Sequence, residues 1–374
     1  IKKLLVLESL PKPVNFSGGP DLLSWLGTFT LERVLGTVPV EADGSADFEV
    51  PANRALFFVA LDENDLSVKR MQSFVSVMPG ETTSCVGCHE QRMQTPPVVD
   101  AAQLTAVQRA PSSVQPFAGL PDVIDYHRDI QPVWDRHCVK CHSFEKHDAS
   151  LVLEGDLGPM YALSWHALFA RNQIADGRNG FGNQPPRTIG TSASRLMEKI
   201  DGSHHGAKPS EKEWRTVWLW IESGATYVGT YAALRNEAEM RLGGAASLVF
   251  REQKEALAKR CAKCHGRGEV PAVPYNAPEW PDARGLKRLL ARHERRVIDN
   301  DPLARFGANA IVNMTRPELS PLLLGPLSKS AGGWGSCGDV FASKDDADYL
   351  RLLQSLRKGK QLRDSIPRYA APGW

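Results

Sequence analysis

Six of the seven cysteines lie in three short segments that share one pattern of residue types. Each segment has two cysteines three positions apart and a histidine directly after the second: Cys85-Val86-Gly87-Cys88-His89, Cys138-Val139-Lys140-Cys141-His142 and Cys261-Ala262-Lys263-Cys264-His265. Two thiols at this spacing reach the two vinyl groups on one edge of a porphyrin, and the adjacent imidazole ligates the iron from one side. The pattern therefore predicts three covalently bound haem c groups, with His89, His142 and His265 as their proximal iron ligands.

A zinc site is the alternative, because two cysteines at this spacing also form half of a tetrahedral zinc site. Three copies, each with a histidine at the same place, favour haem attachment. Only Cys337 lies outside the motifs. An intrachain disulfide framework is therefore not expected once the haems are attached.

Composition and charge indicate an ordinary globular protein. The 374 residues are enough for two or three domains, and 42% apolar and 24% charged residues are typical of soluble proteins. A net charge of +2 gives no sign of nucleic acid or an anionic membrane as the main partner. No run of 18 apolar residues predicts a membrane span.

Haem c is attached outside the cytoplasm, so we expect the protein in a periplasm or an equivalent compartment. The segment Ile1 to Leu7 is basic and then apolar, but it lacks the long apolar stretch and small-residue cleavage site of a signal peptide. We interpret it as a strand. The chain is expected to be a mature or incomplete piece of a longer precursor.

Residues 1–93 are predicted to form a small β-rich domain with the first haem motif at its end. Asp43-Gly44 is a hairpin turn signal between Val38 and Val40 on one side and Phe48 and Val50 on the other. The apolar run Ala55 to Leu61 predicts a buried strand, and Phe74 to Val77 predicts a short one. Residues 94–121 are rich in proline, which indicates a linker or a wrapping loop.

The sequence around the second and third motifs repeats. A helix-like stretch leads into each motif, the first with Asp129 as its predicted cap, and an amphipathic helix follows each motif after a long loop. The two closing helices have apolar faces of identical spacing: Trp214, Val217, Trp218 and Ile221 in one, and Tyr349, Leu352, Leu353 and Leu356 in the other.

Capping signals bound both closing helices. Ser210 with Glu213 forms a capping box, Ser343 with Asp346 forms a weaker one, and Gly224 and Gly359 are the predicted C-caps. A leading helix, a haem motif, a long loop and a closing amphipathic helix are typical of small cytochrome c domains. Any two core helices, however, can share such spacing of apolar residues. We predict an α+β protein in which the β-rich domain is followed by two mainly α cytochrome c-like domains at 122–232 and 233–374.

The second axial ligand of each iron decides between electron transfer and small-molecule chemistry. For the second haem we expect His204 or His205, in the loop before the closing helix. For the third haem, Cys337, His293, Met314 and an open position are the candidates, with His293 favoured. No histidine follows His89 within 30 residues, so the first haem is the best candidate for an open or unusual iron.

A family resemblance rests on the segments that lead to the first motif: Gly36-Thr37-Val38-Pro39-Val40, Asp43-Gly44-Ser45, Phe48-Glu49-Val50-Pro51, Leu61-Asp62-Glu63, Pro79-Gly80-Glu81 and the motif itself with Glu90. Together they resemble the middle domain of the hydrazine synthase alpha subunit and its multihaem relatives. Later segments also resemble that group: Asp129-Ile130-Gln131-Pro132, Trp220-Ile221-Glu222-Ser223-Gly224-Ala225 and Thr315-Arg316-Pro317-Glu318.

The resemblance implies that in the synthase the first haem is catalytic and has a tyrosine ligand near its motif. Here the motif is followed by Glu90-Gln91-Arg92-Met93, without a tyrosine.

Two main functions follow from these observations. The first is a triheme c-type cytochrome that mediates extracytoplasmic electron transfer between redox partner proteins, as a separate carrier or with other subunits of a larger multihaem assembly. The alternative is a haem-containing redox enzyme or enzyme subunit that acts on a small nitrogen compound at the first haem. A third hypothesis is a docking subunit whose haems exchange electrons with a partner enzyme. We favour the electron-transfer function, called the relay below, because it requires only the three attachment motifs.

Overall fold

The computed structural model describes residues 1–13, 23, 30–71, 73–87, 100–158, 161–175, 185–233, 253–265 and 311–365. Contacts divide the chain into two compact units, each formed by several stretches. The first comprises Ile1–Pro13, Leu23–Ile130 and Asn172–Gly229, and the second comprises Val14–Leu22, Gln131–Arg171 and Thr230–Trp374. Strands and helices are combined, as an α+β class requires. The predicted boundaries at 93, 121 and 232 follow the haem motifs and stay a prediction.

The strands of the described residues are short and lie in the first unit. They are β1 (Lys3–Ser9), β2 (Glu32–Pro39), β3 (Phe48–Glu49), β4 (Leu56–Leu61), β5 (Ser67–Arg70) and β6 (Ser112–Ser113). The α-helices are α1 (Gln131–His137), α2 (Leu163–Ala170), α3 (Arg195–Lys199), α4 (Glu211–Glu222), α5 (Lys254–His265), α6 (Pro321–Leu324) and α7 (Ala347–Asp364). A π-helical turn at Tyr126–Ile130 directly precedes α1, and short 3₁₀ helices lie at Ala101–Gln103, Thr105–Gln108, Asp148–Ser150, Pro317–Leu319 and Lys329–Ala331.

The first unit contains a four-stranded antiparallel sheet with strand order β2-β1-β4-β5. β1 lies between two partners, with Leu5 opposite Thr37 of β2 and Val59 of β4. Leu5 and Val59 are fully buried, and most other side chains of β1 and β4 are buried as well. Continuous apolar runs of this length are typical of strands covered on both faces. The strands predicted at the N-terminus and at Ala55 to Leu61 are thus confirmed.

The turn at Asp43-Gly44 forms as predicted, but the expected hairpin does not. Gly44 donates its N–H to the carbonyl of Glu41 at 2.9 Å, yet β3 pairs in parallel with β6 rather than with β2. One edge of β2 pairs with β1, and on the other edge Thr37 exchanges both backbone hydrogen bonds with Gln115. Both edges of β2 are therefore taken, which leaves β3 no place beside it.

The proline-rich segment wraps along the sheet edge over its described part, residues 100–121. Gly36 has a φ of +142°, and a Cβ there would lie 2.1 Å from the carbonyl oxygen of Gln115, so only glycine permits this approach. Asp43 accepts the N–H of Thr105 at 2.8 Å. Of the two predicted alternatives, these contacts favour the wrapping loop.

Helix α4 confirms the predicted capping box and apolar face. The Ser210 hydroxyl accepts the N–H of Glu213, whose carboxylate accepts the N–H of Ser210 at 2.8 Å. The helix ends before Gly224, which has the positive φ of a glycine C-cap. Trp218 on its apolar face is fully buried and donates its indole N–H to the carbonyl of Asp65 at 2.6 Å, which ties the helix to the turn between β4 and β5.

The second unit has its largest described core around α7. Tyr349, Leu352, Leu353 and Leu356 are buried there with Leu257 of α5, as the apolar pattern of the closing helix predicts. Two capping predictions need correction. Asp346 alone accepts the N–H groups of Asp348 and Tyr349, and the helix runs through Gly359 to Asp364. A glycine stops a helix only where the chain leaves the helical region, and the Lys360–Asp364 ion pair supports one further turn.

Asp125, rather than Asp129, caps the helical turn that leads to the second motif. Its carboxylate accepts the N–H groups of His127 and Arg128 at 3.0 and 3.1 Å. The apolar side chains predicted on this face, Ile130, Val133 and Trp134, are all buried.

Candidate haem sites

The first motif is described only at its beginning. Cys85 is exposed, whereas Cys88 and His89 lie outside the described residues. Apolar side chains lie at the surface before the motif and within it: Phe74 and Met78 precede it and are 62% and 67% exposed, and Val86 follows Cys85 and is 54% exposed. They account for three of the seven large apolar side chains that are exposed in the described part of the chain. An apolar ligand beside Cys85 would cover surface of this kind.

The second motif continues directly from α1. The carbonyl of Trp134 accepts the N–H groups of Cys138 and Val139, and the carbonyl of Cys138 accepts those of Cys141 and His142 at 3.1 and 3.0 Å. These turns place both thiols and the imidazole in one compact stretch. Burial, together with the charge of Cys141, raises the pKa of the Cys138 thiol to about 11. Before thioether formation, this thiol is therefore neutral at physiological pH.

The imidazole of His142 is oriented by the backbone that follows it. Its Nδ1 lies 3.1 Å from the carbonyl oxygen of Asp148, and this contact requires the proton on Nδ1. In that tautomer Nε2 presents its lone pair, the arrangement usual for a histidine that ligates a metal through Nε2. The hydrogen bond from Leu153 N–H to the His142 carbonyl at 2.7 Å closes the loop that contains Asp148. The geometry fits the role of proximal ligand.

The third motif forms the last turns of α5. Cys261 packs against the core of the second unit, Cys264 is exposed, and the side chain of His265 lies outside the described part. Burial raises the pKa of Cys261, and the charge of Cys337 raises it further. Cys337 is therefore near this motif, as one of the predicted alternatives for the third haem requires.

An ion-pair cluster fixes α5 against α7 one residue before the third motif. Arg260 contacts Asp346 at 2.8 Å and Asp348 at 2.7 Å, and Lys259 contacts Asp348 at 3.0 Å. The side chain of Asp348 is 5% exposed, that of Arg260 28% and that of Lys259 68%. Hydrogen bonds from Arg260 and Lys259 lower the pKa of Asp348.

Replacing Arg260 with methionine is expected to lower the free energy of unfolding by about 1–3 kcal/mol, because the buried carboxylate of Asp348 loses its closest charged partner. Replacing Lys259 with methionine is the matched control, and its exposed contact should be worth less than about 1 kcal/mol. Urea unfolding of both variants measures the difference. Equal losses would show that the Arg260 contacts do not secure the helix.

The predicted second ligands are only partly described. His204 and His205 lie in a loop of the first unit, where their rings are 4.7 Å apart and His205 is exposed. Their assignment to the second haem stays a prediction. His293 lies outside the described residues. Met314 is buried in the core around α7, and Cys337 is exposed with its N–H bonded to the carbonyl of Gly325.

His166, which no sequence motif marks, is one of the most deeply buried ionisable side chains in the described part of the second unit. It lies on α2 and is 3% exposed, and burial lowers its pKa to about 4. Its Nε2 has no hydrogen-bond partner among the residues that the structure describes. A single histidine within an apolar helix forms no motif, so only the structure reveals this group.

Two further properties concern the described residues alone. No group of three or more His, Cys, Asp or Glu side chains is arranged there to hold a metal ion without help from another ligand. A haem iron takes most of its ligands from the porphyrin, so attachment needs no such group. None of the described helices has the length and apolar character needed to cross a bilayer.

The region around the first motif is similar to a known protein family. Residues 23–90 match the family model of the hydrazine synthase alpha subunit middle domain. The resemblance to the hydrazine synthase alpha family is thereby confirmed for this segment, which contains the whole motif from Cys85 to His89.

Among solved structures, Kuenenia stuttgartiensis hydrazine synthase is similar, with 17% identity and a TM-score of 0.42. The match covers 62% of this chain and 39% of that one, so the chain spans about two fifths of the length of that relative. No curated protein matches the chain.

Proposed function

We propose that the protein is a triheme c-type cytochrome that transfers electrons outside the cytoplasm. The observation that carries this proposal is the second motif, in which the Nδ1 of His142 lies 3.1 Å from the carbonyl of Asp148 beside Cys138 and Cys141. This orientation suits an axial ligand, and the same order of residue types occurs twice more in the sequence. When bound, haem c supplies an iron that takes up and releases single electrons.

The chain itself supplies attachment and orientation. Cys85, Cys88, Cys138, Cys141, Cys261 and Cys264 are assigned to thioether bonds, and His89, His142 and His265 to the proximal side of each iron. At the second motif the helical turns from Trp134 to His142 hold the thiols, while the loop closed by Leu153 holds the imidazole. At the third motif the contacts of Arg260 with α7 hold the attachment helix.

We place the protein in the periplasm or another extracytoplasmic compartment, because haem c is attached there. Its partners are redox proteins that deliver and remove electrons. The matched segment of the hydrazine synthase alpha subunit supports a further proposal, that the chain works with other subunits of a larger multihaem assembly. Nucleic acid is not a proposed partner.

A second candidate function is supported by the first motif. The family match ends at residue 90 and includes this motif, and the apolar side chains of Phe74, Met78 and Val86 are exposed nearby in sequence. These features favour a redox enzyme, or a subunit of one, that acts on a small nitrogen compound at the first haem. A spectrum of the ferric protein distinguishes the candidates. A high-spin component that shifts when nitric oxide or cyanide is added supports the enzyme, and three low-spin haems support the relay.

Mass measurement of the intact protein tests haem attachment directly. The chain, produced outside the cytoplasm with haem c maturation proteins, is expected to carry three haem groups. Replacing both cysteines of one motif with serine, for example Cys138 and Cys141, should remove one haem mass and leave the other two. Cys337→Ser is the matched control and should keep all three. A mass equal to that of the bare polypeptide, without Soret and α bands, would overturn the proposal.

A further inference from the structure

The imidazole of His166 is a buried polar group with no role so far. It is 3% exposed, and its Nε2 has no hydrogen-bond partner among the described residues. A buried polar atom without a partner costs about 1–3 kcal/mol, so most such atoms are paired with protein, water or a ligand. Because burial lowers its pKa to about 4, the ring is neutral at physiological pH and has a lone pair for a metal.

A chain of hydrogen bonds connects α2 to the second haem motif. The carbonyl of His142 accepts the N–H of Leu153 at 2.7 Å, and the carbonyl of Leu153 accepts the side-chain amide N–H of Gln131 at 2.9 Å. The amide oxygen of Gln131 accepts the hydroxyl proton of Ser164 at 2.6 Å. Ser164 lies two residues before His166 on α2. Three hydrogen bonds therefore link the backbone of the proximal ligand to the helix that carries the buried imidazole.

The face of α2 that carries His166 packs towards the residues after the motif. Leu163 is three positions before His166, so the two side chains share one face of the helix. Leu163 belongs to a buried cluster with Phe144, which lies two residues after His142. The packing of Leu163 therefore places His166 on the side of α2 that faces Phe144, whereas Ser164, two positions away, faces a different side of the helix.

We infer that His166 supplies the second axial ligand to the iron of the haem attached at Cys138 and Cys141, on the side opposite His142. The inference rests on the proposed attachment of haem c. The neutral imidazole donates the lone pair of Nε2 to iron, no proton leaves, and the oxidation state of the iron does not change. The assignment replaces the expectation that His204 or His205 is this ligand, and it makes the second haem a bis-histidine centre suited to electron transfer.

The test uses the holoprotein with its haem content established by mass. His166→Ala is expected to keep three haems and to convert one of them from low spin to high spin in the ferric spectrum and by electron paramagnetic resonance. Added imidazole should restore the low-spin signal. His147→Ala is the matched control, because His147 also has a buried ring nitrogen without a partner in the described part of the chain; its ring packs against Trp334, with the ring centroids 4.8 Å apart. It should leave all spin states unchanged.

Two further variants assign the ligand to one haem and guard against misfolding. In a background of Cys138→Ser and Cys141→Ser, which lacks the second haem, His166→Ala should produce no new high-spin signal. His166→Met should remain low spin and raise the reduction potential of one haem, because methionine ligation raises it. This variant decides the question if the alanine protein does not fold.

Several results would overturn the inference while leaving haem attachment intact. These are three haems with unchanged spin states in His166→Ala, an unchanged potential in His166→Met, or a high-spin signal that persists in the background without the second haem. Conversion by His204→Ala or His205→Ala would restore the loop histidine as the ligand. Absence of haem by mass contradicts the proposed function itself, so the two failures are distinguishable.

Discussion

Replacing Glu222 with glutamine is expected to stabilise the protein at neutral pH and to have little effect in acid. Glu222 is the last residue of α4 and is fully buried. Its Oε1 accepts the backbone N–H of Thr191 at 2.9 Å and the Thr191 hydroxyl at 2.5 Å, whereas Oε2 has no hydrogen-bond partner in the described ranges. Gly190 is so close that a Cβ there would lie 2.9 Å from Oε2. The carboxyl group therefore has little room for water.

Burial raises the pKa of Glu222. The hydrogen bonds from Thr191, the nearby hydroxyl of Ser67 and the charge of Arg70 oppose this shift without cancelling it. The guanidinium of Arg70 bonds the Glu222 carbonyl at 2.6 Å, but its own ion pair is with Glu32 at 2.8 Å. Below the ordinary pKa of 4.5 the carboxyl group is protonated in the folded and the unfolded chain alike. As the pH rises above that value, the unfolded chain releases the proton more readily, and folding loses free energy until the folded pKa is reached.

Glutamine keeps an amide oxygen for Thr191 and carries no charge at any pH. We expect a gain of about 1–3 kcal/mol near pH 7, typical of relieving an incompletely paired buried group, and no gain near pH 4. Urea unfolding at both pH values measures the difference between variant and parent. Glu49→Gln, at an exposed position of β3, is the control and should show no such pH dependence. An equal gain at both pH values would show that ionisation of Glu222 is not the cause.

Local sequence patterns predicted the elements of this fold better than their partners. The apolar runs at β1 and β4 and the spaced apolar residues of α4 and α7 identified strands and helices correctly, because burial imposes its period on the sequence. The partner of β3 could not be found in this way. Its pairing with β6 depends on Gln115 taking the edge of β2, a contact between residues far apart in sequence.

The candidate site likewise combines residues that local sequence patterns predict with residues that only the structure reveals. The spacing of cysteines and histidine is a local signal, and the hydrogen bond between His142 and Asp148 agrees with the role that it predicts. His166 has no such signal, because a histidine between apolar helix residues resembles any core position. Only the combination of burial, an unpaired Nε2 within the described structure and the packing of Leu163, on the same helix face, against Phe144 distinguishes it. At Gly359 the sequence signal was present but misleading, because glycine often ends helices and here lies inside one.

Replacing Trp134 with alanine is expected to have the largest effect on the second haem motif. The indole is fully buried on α1, and the carbonyl of the same residue accepts the N–H groups of Cys138 and Val139 at 2.8 and 3.0 Å. Truncating a buried tryptophan to alanine removes a large apolar contact and leaves a cavity, at a cost of about 3–5 kcal/mol. Because the side chain anchors the helix end that presents Cys138, the loss should act on attachment as well as on stability.

Intact mass and urea unfolding separate the two effects. Trp134→Ala should unfold at lower urea and yield a larger fraction of chains with two haems instead of three, whereas Trp134→Phe should show a smaller form of both changes. Lys140→Ala, an exposed position within the same motif, is the control and should show neither. Lower stability with full haem content would mean that the buried indole supports the core but does not position Cys138. Unchanged stability would contradict the packing role of α1, since a fully buried indole cannot be removed from a well-packed core without cost.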